Sequence, residues 1–273
     1  MFWFFIAFLL ERVQLSIGIG RYGSKWNCGI GTISNTLNKN TASPMVYRVL
    51  IPWIIGAIER ISPRAKRWRL EIYEILKIVL LGTALWLIAW VWGWQVALIM
   101  AVLLPITFRS DYWDWSVELI GLSLGMTGDP LLASIGILLL GLSKETAPIV
   151  AIVFYSVTLD APMTLVLLAI YGLEYAALRW IQGNHKLYCD RWMIKKNLKD
   201  LKGLIQMRPA FLHDLSMTLI ITGLAIVAML QFPAGWIVIP VILAAGWSLA
   251  IAQETRVFVI VFPFIASMML GWI

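Results

Sequence analysis

Long apolar runs interrupted only by brief polar patches constrain this chain more than any other feature, notably 78–89, 149–157, 215–230 and 258–273. Such runs reach or approach the ~20 residues that a helix needs to cross ~30 Å of hydrocarbon. No water-soluble core accounts for them: 60% of the 273 residues are hydrophobic and 14% are charged, where a soluble domain carries about 25% charged residues. The alternating pattern of a membrane barrel is absent. Hydrocarbon offers no water to satisfy backbone groups, so helices are the remaining way to span. The expected class is all-α, a polytopic integral membrane protein of about 8–10 helices, several of them short or re-entrant.

The fifteen tryptophans include many near segment ends: Trp90, Trp92, Trp94, Trp113, Trp115, Trp180, Trp236 and Trp272. There an indole lies in hydrocarbon while its N–H reaches the headgroups, which reads as an anchoring belt rather than a ligand platform. Cys28 and Cys189 have neither CxxC spacing nor a neighbouring histidine, so no disulfide framework or zinc site is expected. With His185 and His213 the only histidines, a divalent metal would have to be held by carboxylates. No cofactor is expected. The net charge of +7 is concentrated in two loops between apolar segments, which points to membrane lipids with anionic headgroups as partners, and not to nucleic acid.

Along the chain, 2–20 reads as a weak first span interrupted by Glu11 and Arg12. No basic region precedes it and no A-x-A site follows, which argues against a cleaved signal peptide. Residues 21–43 form a polar loop rich in Gly, Ser, Asn and Thr, suited to shape a substrate mouth. The helix expected at 45–61 carries Pro52 and runs into Arg60, Arg64, Lys66, Arg67 and Arg69. From 71 to 108 the pattern is helical with a break at Trp92-Gly93-Trp94. Four compact helices follow at 115–126, 131–142, 146–159 and 161–181. They are divided by Gly128-Asp129-Pro130, Lys144-Glu145 and Asp160-Ala161-Pro162. Helices of this length line cavities, because irregular backbone at membrane depth must be buried in protein or face water. A basic amphipathic linker occupies 183–208, and the last spans are expected at 211–231, 236–252 and 257–273. The positive-inside rule puts both the 60–69 loop and the linker in the cytoplasm, with an even number of crossings between them. The expectation is a single transmembrane domain over 1–273.

The segment most informative about chemistry contains Asp111, Asp114 and Glu118. On a helix these residues share one face and form an acidic stripe at the mouth of an apolar segment. Carboxylates near lipid cost several kcal/mol unless paired, solvated or metal-bound. Two readings stand: a general base or cation site, and a helix N-terminus where acidic residues complement the macrodipole. Lys144-Glu145-Thr146 presents a similar choice between a turn ion pair in the headgroups and a cavity-facing pair, with Lys144 neutralising a phosphate and Glu145 orienting it. Tyr47-Arg48 and Glu254-Thr255-Arg256 each precede an apolar run. There an arginine either snorkels or grips a lipid-linked phosphate with its planar fork. Two further patterns carry no chemistry. Gly18-Ile19-Gly20-Arg21-Tyr22-Gly23 fits GxGxxG without the strand and βαβ unit such a fingerprint needs. His213-Asp214 has no nucleophile motif beside it.

Four segments occur in a fixed order: Tyr47-Arg48-Val49-Leu50-Ile51-Pro52, Asp111-Tyr112-Trp113-Asp114-Trp115 with Glu118, Ser143-Lys144-Glu145-Thr146, and Glu254-Thr255-Arg256 with Pro263. Together they resemble the bacterial C-type glycosyltransferase superfamily and its relatives, in which a YRxLxP segment, an acidic aromatic segment, an RET segment and a late ExR segment recur across positions equivalent to 47–263. The resemblance implies a multi-pass protein of the bacterial inner membrane that moves a sugar from a polyprenyl-phosphate donor to an acceptor at the outer face. In it Asp111 or Asp114 acts as base, Arg48, Lys144 and Arg256 hold the phosphate, and Tyr47, Glu118 and Glu145 line the substrate. Lys144 stands where that pattern has Arg, and 21–43 lacks the usual acidic residue, leaving Glu11 as its stand-in. Counting six crossings puts Asp111 and Lys144 on the cytoplasmic side; re-entrant short helices would move them outward.

Three functions are therefore expected to compete: the transferase, a non-catalytic subunit whose charges pair between helices against membrane-protein partners, and a small transporter using the acidic stripe as a proton or cation site. An enzyme needs these charges to converge on one chamber, whereas a structural subunit scatters them.

Overall fold

The computed structural model describes residues 1–16, 36–38, 49–107, 114–144, 147–156, 158–183, 219–220, 223 and 262–270. They belong to two compact units, Met1–Lys186 and Leu187–Ile273, and the boundary falls within the stretch expected as a basic linker. The described residues are helices and the turns between them, with no strand.

The first unit begins with α1, Phe2–Ser16, and α2, Leu50–Ile61. A 3-10 turn, Pro63–Trp68, leads into α3, Arg69–Trp92. Then come α4, Trp94–Thr107, α5, Asp114–Gly125, α6, Pro130–Ser143, α7, Ala147–Tyr155, and α8, Ala161–Gln182. Two helical stretches are long and apolar enough to cross a membrane, Pro63–Trp92 and Ala161–Gln182. In the second unit the described helix is α9, Phe262–Met269, with Phe262, Phe264, Ile265 and Ala266 buried.

Local chemistry explains where these helices start and stop. Pro52 sits in the first turn of α2, where its missing N–H is not needed. Gly93, at φ 92°, separates α3 from α4 with a backbone conformation that a side chain would resist. At the α5–α6 turn the Asp129 carboxylate accepts the N–H groups of Leu131 and Leu132 at 2.8 and 2.9 Å, with Pro130 at the first helical position. Asp160 caps α8 in the same way, accepting from Met163 at 2.9 Å.

Helix α5 is the centre of the unit. All of its residues except Leu124 are buried, with α3, α6 and α7 packed around it. The α5–α6 contact is close because the facing positions are glycines: a Cβ on Gly136 would come within 2.6 Å of the Gly121 carbonyl. Tyr155 of α7 fills the gap beside Gly125 and donates its hydroxyl to the Gly121 carbonyl. By contrast, α8 buries only Leu167, Leu178 and Gln182, and exposes Leu165, Val166, Leu168, Leu173 and Trp180.

Helices α1 and α3 are antiparallel, since Glu11 pairs with Lys77 while Phe4 lies against Gly82. The C-terminal end of α1 therefore meets the N-terminal end of α3. Ile51 and Ile55 of α2 join Tyr73 of α3 and Val117 of α5 in one buried cluster. Val49 packs with Leu178 of α8, and Leu142 of α6 rests on them. The starts of α2, α3 and α5 and the ends of α1, α6 and α8 thus share one end of the unit.

Candidate functional site

The charged group at that end is built by the α5–α6 hairpin. The two helices run antiparallel, so the first turn of α5 lies beside the last turn of α6. Asp114 opens α5 and Glu118 follows one turn later on the same face, both nearly inaccessible to solvent. Lys144 leaves α6 in an extended conformation, its N–H still bonded to the Leu140 carbonyl at 2.8 Å. Its ammonium stands 3.3 Å from the Glu118 carboxylate. The helix termini favour this arrangement, because carboxylates sit at the positive end of α5 and the lysine at the negative end of α6. Removing charges of this kind from water is costly, and the pair offsets that cost only while both partners are present.

A backbone contact brings a second motif to the same place. The Val49 N–H donates to the Leu142 carbonyl at 3.0 Å. This satisfies a carbonyl in the last turn of α6 that has no partner within its helix. The residue that follows Tyr47-Arg48 is thereby fixed two positions from Lys144. Of the four ordered segments, the second and third contribute Asp114, Glu118 and Lys144 to one group, and the first is represented by Val49. Tyr47, Arg48, Asp111, Glu145 and Arg256 lie outside the described residues, as do both cysteines and both histidines.

Of the expected acidic stripe, Asp114 and Glu118 lie on helix α5. Lys144 takes Glu118, from the neighbouring helix, as an ionic partner. Glu11, the expected stand-in for a loop carboxylate, lies on α1. It is buried against Lys77 at 2.5 Å, and the Lys77 ammonium also lies 5.0 Å from the centre of the Tyr73 ring.

Glu174 was not singled out from the sequence. It lies near the middle of α8, and both carboxylate oxygens are buried without a hydrogen bond. They rest where a side chain on Gly141 would be, since a Cβ there would come within 2.1 Å of Oε2. Gly141 is one turn before Lys144, so a third carboxylate approaches the same end of α6. The available signal was a lone glutamate in the middle of a membrane-length apolar helix. Nearby, the Arg179 guanidinium packs on the Tyr175 ring at 4.8 Å.

Chemically, this end offers a buried carboxylate that can accept a proton, Asp114, and a cation suited to a phosphate, Lys144. Among the described residues no three His, Cys, Asp or Glu side chains gather closely enough to hold a metal ion. Compared with family models, curated proteins and solved structures, the chain matches none.

Proposed function

We propose that this chain is a multi-pass membrane protein of the bacterial inner membrane that transfers a sugar from a polyprenyl-phosphate carrier to an acceptor hydroxyl. The observation that carries the reading is the gathering of Asp114, Glu118 and Lys144 at one end of the α5–α6 hairpin, with Val49 hydrogen-bonded beside them. Lengths support the membrane setting. At 1.5 Å per residue, α3 and α8 extend about 36 and 33 Å, enough to cross the hydrocarbon core. Helix α6 extends only about 21 Å, as segments lining a polar chamber do.

In the transfer, the acceptor oxygen forms a bond to the anomeric carbon while the bond from that carbon to the carrier phosphate breaks. The acceptor proton passes to the Asp114 carboxylate, and the leaving electron pair stays on the phosphate. Lys144, with Arg48 and Arg256, compensates the phosphate charge. Glu118 holds the ammonium in place between turnovers. The resemblance of the ordered segments to C-type glycosyltransferases supports the same assignment.

Asp114→Asn tests it in proteoliposomes supplied with a labelled polyprenyl-phosphate sugar. Transfer should fall by about 10²–10⁴-fold, the usual worth of a positioned base, with melting unchanged. Full transfer by the variant would reject Asp114 as the base. A non-catalytic subunit is the second reading, favoured by the buried pair of Glu11 and Lys77, which ties α1 to α3. In that case no sugar is transferred by the wild type, and loss of the pair weakens assembly with a membrane partner.

A further inference from the structure

The 3-10 turn between α2 and α3 carries a cluster of charge that the chamber does not use. Arg60, Arg64, Lys66 and Arg67 are all exposed. None of them forms an ion pair with another described residue. The fifth cation, Arg69, is committed elsewhere: its Nε and an Nη donate to the two oxygens of Glu59 at 2.5 and 2.6 Å. This two-pronged bond closes the turn from inside and leaves the other four cations directed outward. Segment 59–71 holds five cations and two carboxylates, Glu59 and Glu71, a net charge of +3.

Apolar side chains flank the cations. Ile61 is 86% exposed and Trp68 is 61% exposed, an arrangement that in water alone would only cost free energy. From Trp68 to Trp90, near the other end of α3, is about 33 Å along the helix, close to the thickness of a bilayer core. Between them Ile75, Val79 and Trp86 are exposed and, with exposed Trp90, repeat on one face of α3. The turn therefore lies where α3 would enter a headgroup layer, with an indole and an isoleucine to insert and four cations to meet phosphates.

We infer that the Arg60–Trp68 turn is a docking surface for the anionic headgroups of the surrounding bilayer. The occupant is chosen by charge and by the exposed apolar side chains beside it. The surface is cationic, exposed and flanked by exposed apolar side chains, which suits a plane of lipid phosphates rather than a single enclosed anion. The inference uses the membrane setting of α3 but not sugar transfer, so an assay without any transfer step separates the two.

The test uses the full-length protein in micelles containing equal phosphatidylglycerol and phosphatidylcholine, with retained lipids counted by native mass spectrometry. The wild type should retain phosphatidylglycerol preferentially. Arg64→Gln/Lys66→Gln/Arg67→Gln should reduce that preference by about fivefold or more, since each basic residue near an anionic surface contributes on the order of a fivefold factor. Arg64→Lys/Arg67→Lys should preserve it. If the triple variant fails to fold, Arg67→Gln alone should still lower the preference several-fold. Unchanged preference in the neutralised variants overturns the inference. So does displacement of the bound phosphatidylglycerol by millimolar inorganic phosphate, which would indicate a pocket for a free anion.

Discussion

Val49 donates its backbone N–H to the carbonyl of Leu142 at 3.0 Å, and this bond ties the entry of α2 to the last turn of the helix that ends at Lys144. The consequence is positional. Lys144 faces Glu118 across the hairpin, so a single end of the unit collects the start of α2, a lysine and the two carboxylates of α5. Convergence of charges at one end is what the proposed transferase would need.

The Glu118–Lys144 pair should behave as a coupled unit. Glu118→Gln leaves a mostly buried ammonium uncompensated and should cost about 3 kcal/mol, the scale for breaking a buried pair. Lys144→Met should cost a similar amount by leaving the carboxylate. The double variant should cost less than the two single changes together, by about 0.5–3 kcal/mol. Melting of the four proteins in one detergent measures this, and strict additivity would show that the two groups do not interact.

Much of this organisation was legible in the sequence, and the limits have physical causes. The break at Gly93 separates two apolar helices as read, because a glycine between tryptophans interrupts an otherwise continuous pattern. The turns at Asp129-Pro130 and Asp160 were equally clear, since capping and proline are local rules. The partners of Lys144 and Glu11 were not legible. They come from helices distant in sequence, and no local pattern says which carboxylate a hairpin will bring back to a lysine. Glu174 resting against Gly141 belongs to the same class: each residue is ordinary alone, and their meeting is tertiary.

Close packing around Tyr155 leads to a sharp contrast between two glycines. A Cβ on Gly125 would lie 1.9 Å from the Tyr155 ring, whose hydroxyl is already committed to the Gly121 carbonyl. Gly125→Ala should therefore destabilise the protein by about 1–3 kcal/mol or more. Gly172, on the exposed side of α8, has nothing within 4 Å of a Cβ. Gly172→Ala should stabilise by about 0.5–1 kcal/mol through helix propensity. Thermal melting distinguishes them, and equal effects would contradict the packing of α5 on α7.

Acid should weaken the α2–α3 turn through Glu59. Two hydrogen bonds from Arg69, aided by the charges of Arg69 and Lys66 and opposed by partial burial, hold the Glu59 carboxyl below its ordinary value of 4.5. A depressed folded-state value means that the stabilisation is fully present above about 4.5 and is lost as pH falls through the lower folded value. Glu59→Gln should be less stable than wild type at neutral pH, and the gap should close below pH 4. A gap that persisted undiminished at pH 3 would show that ionisation of Glu59 does not contribute.

In the proposed membrane setting, the basic turn predicts the face on which the α5–α6 charges lie. Tyr73, just inside the start of α3, packs in the cluster that contains Val117 of α5. The α5–α6 charges and the turn are therefore at one end, which the positive-inside rule would place in the cytoplasm in that proposed setting. The family resemblance instead implies the outer face. In a background lacking Cys28 and Cys189, Ser62→Cys in the exposed turn should react with a membrane-impermeant maleimide only after permeabilisation. Trp94→Cys, at the start of α4 just past the opposite end of α3 and also exposed, should react in intact cells. Reversed labelling would move the transfer reaction to the outer face and set the basic turn against the charge rule. Labelling of both positions from one side would mean that α3 does not cross the bilayer.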